Sequence, residues 1–147
     1  MTTTPFNHQE TLIHESQVLD IQDWLNKNGA KFIHPKGDAL KLLEEVLELC
    51  YASGALIPEI DQVYHTEMMK ALRRGEANGE INTSAIFVEV GDVIACLTAY
   101  VIKVNVDSEA ATKECLKRIH SREWAPDEGG VLRRPRPSNL PEMGSFT

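Results

Sequence analysis

A chain of 147 residues with 42% hydrophobic and 25% charged side chains carries enough apolar surface to order one compact domain, which argues against global disorder. Its formal net charge of -7 lacks the basic footprint that a phosphate backbone demands, so neither DNA nor RNA is an expected partner. Cys50, Cys96 and Cys115 are an odd number without CxxC spacing, against a disulfide framework or zinc ribbon, and MTTTPFNHQE has neither the basic start nor the apolar core of a signal peptide. A cytoplasmic location is the expectation.

In chain order, an N-terminal extension over 1–15 precedes a helical domain over 16–124 and a Pro/Gly-rich tail over 125–147. From Ser16 to Asn28, Val18, Leu19, Ile21, Trp24 and Leu25 recur with helical period, and Gly29 is a natural stop. HPKGD reads as a turn, after which Asp38 can cap a second helix from Ala39 to about Ser53. Pro58 stands where a first-turn proline is tolerated and opens a third helix through Met68, Met69, Ala71 and Leu72 to Gly75. GEANGEIN is a loop. Thr83 or Ser84 can cap a fourth helix to about Lys103; Val and Ile leave a strand open for its last residues, but length favours the helix. Asp107 or Ser108 begins a fifth, SEAATKECLKRIHSREW, and the remainder reads as an irregular tail. The class is all-α, a bundle of four to five helices.

Chemistry concentrates in the second and fourth helices. At about 100° per residue, Lys41, Glu44, Glu45 and Glu48 fall in one narrow stripe, flanked by Leu42 and Leu49 on one side and Leu40, Leu43 and Leu47 on the other. Alone, such an EExxE stretch reads as an ordinary surface helix. The fourth helix differs, because Glu89 and Asp92 are the only charged residues between Ala85 and Ile102. Carboxylates at that depth argue against a membrane span and for a buried helix whose charges need compensation. Their i and i+3 spacing aims both side chains at one place. If the two helices face each other, Glu45, Glu48, Glu89 and Asp92 make a cluster that hard divalent cations reconcile, and oxygen-only ligation suits Mg2+ or Mn2+. The competing explanation for Glu89 and Asp92 is a pair of salt bridges to lysines of another helix.

These residues resemble the MazG-like all-alpha nucleoside triphosphate pyrophosphohydrolases, which share EExxE followed by ExxD on a later helix: here Glu44, Glu45, Glu48, then Glu89 and Asp92. The likeness extends to Trp24 in QDWLNKNG and to the run from Lys113 to Trp124, spanning about 16–124. It departs in the stretch between the motifs, which is longer than usual and includes the helix after Pro58. The resemblance implies hydrolysis of a (d)NTP to its monophosphate and pyrophosphate, with Glu45, Glu48, Glu89 and Asp92 holding two or more Mg2+ ions. It makes Glu44 a further ligand or the group that orients the attacking water, Glu44 and Glu45 being the catalytic candidates. Homodimers or homotetramers follow, with residues shared across the interface.

Lys113 and Lys117, one turn apart, with Arg118 and Arg122 nearby, can offer cations to phosphates, as can Lys41, although a basic stripe on a terminal helix is more often solvated. Trp24 can stack on a nucleobase, against the commoner role of a core residue. None of His8, His14, His34, His65 and His120 forms HExxH or ExxH, which disfavours zinc proteases and di-iron carboxylate proteins. A purine deoxynucleotide such as dGTP or dATP is the working choice, with dUTPase-like, dCTPase-like or phosphoribosyl-ATP pyrophosphatase activity as alternatives. The non-enzymatic alternative is an acidic helical module that binds a basic partner.

Overall fold

The computed structural model describes residues 12–28, 35–127 and 132–135. Helices α1 (Glu15–Lys27), α2 (Pro35–Ala52), α3 (Ile57–Arg74), α4 (Thr83–Val104) and α5 (Ser108–His120) carry nearly all of the regular structure, so the chain is all-α in class.

Their ends follow from local hydrogen bonding. His14 caps α1: its Nδ1 accepts from the Ser16 N–H, while Gln17 Oε1 accepts from the His14 N–H at 3.0 Å. At the other end, Asn28 folds back on the Trp24 carbonyl, donating from its amide side chain at 2.8 Å. Gly29, expected to stop this helix, lies outside the described residues. Asp38 does not cap α2 as expected. The helix already begins at Pro35, because proline tolerates a first turn in which the N–H would be unpaired anyway, and Asp38 falls in that turn. Glu59 Oε2 accepts from the Leu56 N–H at 2.7 Å to open α3, with Pro58 beside it. Neither Thr83 nor Ser84 supplies the cap bond of α4; Asn82 Oδ1 accepts from Ala85 N–H at 3.0 Å. Asp107 Oδ1 caps α5 through the Ala110 N–H at 2.9 Å, as its position implies.

Gly75 ends α3 in the left-handed region at φ 67, and nothing lies within 4 Å of where a Cβ would stand. Gly75→Ala therefore carries a backbone cost and no steric one, and is expected to lower stability by about 1 kcal/mol in chemical unfolding.

The chain divides into two compact units, residues 1–38 with 105–147, and residues 39–104. In the first, α1 and α5 are tied by Gln17 Nε2 donating to the Glu109 carbonyl at 2.9 Å and by Asp20 Oδ1 against His120 Nε2 at 3.0 Å. Trp24 and Trp124 meet edge to face, centroids 5.4 Å apart. Leu116 is buried at 6% exposure. The described part of the tail is not irregular: β1 (Ala125–Pro126) pairs antiparallel with β2 (Leu132–Arg133). Leu132 is buried there, and Arg133 Nε donates to Asp127 Oδ2 at 2.6 Å, two anchors that a Pro/Gly-rich composition conceals.

In the second unit, Ser53 Oγ, just past α2, meets the Tyr100 hydroxyl of α4 at 2.6 Å. None of residues 39–104 is buried. The expectation that α4 is a buried helix therefore fails within one chain, since it presents apolar side chains nearly all round and this unit supplies too little surface to cover them. Phe87 is 83% exposed. By length and composition α4 also qualifies as long and apolar enough to cross a membrane.

Candidate metal and phosphate site

On α2 the acidic stripe is organised by its own cation. Lys41 Nζ lies 2.6 Å from Glu45 Oε1 and 3.3 Å from Glu44 Oε2, the i+4 and i+3 neighbours that helical geometry brings to one face. The hydrogen bond to Glu45 holds the Lys41 ammonium above its usual pKa, partial burial opposes it, and Glu44 adds to the rise. Lys41 thus counts Glu44 and Glu45 as partners before any substrate arrives. Glu48, one turn further along, makes no ion pair among the described residues.

Glu89 and Asp92 stand exposed in the middle of α4 among Phe87, Val88, Val90 and Val93. Among the described residues neither has a cationic partner, so the salt bridges that would have explained them structurally are not found.

The structure does not gather these acids into one cluster within a single chain: among the described residues, no three His, Cys, Asp or Glu side chains stand together as a metal-holding group. What it provides is two pairs at i and i+3, Glu45 with Glu48 on α2 and Glu89 with Asp92 on α4, within the same compact unit. Magnesium is commonly held by one or two carboxylates, with waters and substrate phosphates completing its octahedron. Each pair fits such a half-site by donor chemistry; the four-carboxylate arrangement is not assembled by one chain.

The other sequence candidates belong to the first unit. Lys113 and Lys117 line an open groove of ≈ 560 Å³ between α1 and α5, whose walls include Gln17, Asp20, Leu116 and His120. Lys117 is engaged by Glu114 at 2.5 Å, and that hydrogen bond, reinforced by the charges of Lys113 and Arg118, holds the Glu114 carboxyl below its usual pKa. Lys113, Arg118 and Arg122 make no ion pair among the described residues. Trp24 packs edge-on against Trp124, and its Nε1 is buried without a hydrogen-bond partner among the described residues. Sequence reasoning missed this pair and the Asp20–His120 link. The only signal for either is a second aromatic residue just beyond the last helix and a histidine in its last turn.

Compared with known proteins, the chain matches no family model, no curated protein and no solved structure.

Proposed function

We propose that this chain is a Mg2+-dependent nucleoside triphosphate pyrophosphohydrolase of the MazG-like kind, acting as a homo-oligomer. The observation that carries the reading is Glu89 and Asp92: two carboxylates one turn apart on an otherwise apolar helix, with no cation to answer them among the described residues. In one chain both side chains are exposed; once a second copy covers the apolar sides of α4, such charges become costly and persist where a ligand or a reaction requires them. The EExxE stripe of α2 in the same unit supplies the second half of the motif.

In this reading Glu45, Glu48, Glu89 and Asp92 are the metal-holding acids, and Mg2+ or Mn2+ would supply charge neutralisation at the triphosphate and a more acidic water. Glu44 would orient the attacking water and take its proton, so that the water oxygen bonds to the α-phosphorus as the bridge to the β-phosphate breaks and pyrophosphate leaves. Lys41 is paired with Glu44 and Glu45 and can pass from Glu45 to a phosphate oxygen. Phosphate contacts from Lys113, Lys117, Arg118 and Arg122 follow from their spacing on α5, stacking on a base from the aromatic ring of Trp24, and dGTP or dATP is the working choice of substrate.

The test is a panel of the common NTPs and dNTPs with phosphoribosyl-ATP, with Mg2+ or Mn2+, scored for pyrophosphate and monophosphate. Metal-dependent release from at least one is expected. No release from any, together with calorimetry showing no specific Mg2+ or Mn2+ uptake, would leave the acidic interaction module instead.

A further inference from the structure

Glu45 stands in the middle of a short charged row on α2, with Lys41 four residues before it and Glu48 three residues after it on the same face. Its carboxylate is engaged toward the start of the helix: Oε1 lies 2.6 Å from Lys41 Nζ, and Glu44 Oε2 lies 3.3 Å from the same ammonium. One cation therefore answers two of the three acids in the EExxE stripe. To hold an ion together with Glu48, Glu45 must turn its charge away from Lys41 and toward the end of the helix. The bridge is one that can be given up. Both side chains are open to solvent, 35% and 57% exposed, where such pairs are weak, and the lysine precedes the glutamate, the less favourable order on a helix.

We propose that Lys41 is an internal counter-cation that keeps bare divalent metal off the α2 acids until a phosphate chain arrives and takes the ammonium over. The inference rests on the metal-holding role given to Glu45 and Glu48 above. A bare divalent ion at that pair meets an ammonium already hydrogen-bonded to one of its own ligands. A unit charge and a double charge roughly 5 Å apart in water, with some screening by salt, repel enough to weaken binding about tenfold. A metal that enters with phosphate oxygens brings an anion for Lys41. The ammonium then passes from Glu45 to a phosphate oxygen, Glu45 is released to the metal beside Glu48, and every charge has a partner. Metal and polyphosphate thus bind as a pair. Toward the metal, Lys41 acts through Glu45 rather than by contact.

The experiment is calorimetric titration of the full chain with Mn2+ alone and with the preformed complex of Mn2+ and inorganic tripolyphosphate, repeated for Lys41→Met, Lys41→Arg and Lys70→Met. The parent is expected to bind the complex at least tenfold more tightly than bare Mn2+. Lys41→Met should take up bare Mn2+ roughly tenfold more tightly than the parent and the complex no more tightly, so that the preference for the complex disappears. Lys41→Arg keeps the charge and the reach and should behave as the parent does. Lys70→Met removes an equal charge from α3, where Lys70 pairs with Glu67, and should leave both affinities unchanged. Equal uptake of bare Mn2+ by the parent and Lys41→Met, a parent that binds bare Mn2+ as tightly as the complex, or the same gain in Lys70→Met would overturn the inference and leave the metal site standing. No specific uptake by any of the four proteins, with or without tripolyphosphate, would remove the metal site itself, and the catalytic reading together with the role of Lys41.

Discussion

Asp92→Asn and Glu48→Gln are each expected to cut pyrophosphate release by about a hundredfold or more, leaving helicity and stability intact. A carboxylate holding Mg2+ against a triphosphate contributes on the order of 3 kcal/mol of charge stabilisation in the transition state, and each 1.36 kcal/mol is tenfold in rate. The amides keep shape and most hydrogen-bonding capacity but lose the charge that binds the metal. Stability is the discriminating companion measurement. Neither acid has a cationic partner among the described residues, so removing its charge breaks no ion pair, and the melting temperature should hold or rise slightly. A drop of several degrees with activity retained would mean that these carboxylates are structural, and the catalytic reading would fail. Lys41→Met supplies a contrast. It frees Glu44 and Glu45 from their bridges at 3.3 and 2.6 Å while removing a phosphate partner, so KM should rise with a smaller change in kcat.

The sequence is most legible where structure is local. Asp107 and Gly75 declare the start of α5 and the end of α3 because a carboxylate two or three residues before free N–H groups, and a residue without a Cβ at positive φ, act within a single turn. The start of α2 is less legible, since Pro35 serves a turn or a first helical residue equally well. Asn82, Thr83 and Ser84 are all good caps, and only the register of the helix selects Asn82 among them. What sequence pattern does not encode is which surface an apolar face meets. The nearly all-round apolar composition of α4, with two carboxylates inside it, makes a buried helix the natural reading, yet nothing between residues 39 and 104 is buried in one chain. The same gap separates the acids: their spacing within α2 and within α4 is legible, but bringing the two helices together depends on long-range packing that this unit by itself does not supply.

Leu116→Ala is expected to destabilise the first unit by about 2–3 kcal/mol, the lower part of the range for removing a buried leucine. Leu116 is one of two buried hydrophobic side chains among the described residues, and it sits on α5 where that helix meets α1. Few other buried groups can share the loss, while the adjoining groove lets water or a neighbouring side chain relax into the space, which favours the lower figure. Chemical unfolding followed by the fluorescence of Trp24 and Trp124, both in this unit, reads the change directly. Phe87→Ala is the counterpart in the other unit. At 83% exposure its ring contributes little to a lone chain, so in dilute solution the substitution should cost less than about 0.5 kcal/mol. If the unit is covered by a second copy, however, the penalty should grow as protein concentration rises, because stability gained by association depends on concentration. A concentration-independent cost equal to that of Leu116→Ala would mean that Phe87 is already packed within one chain, contrary to its exposure.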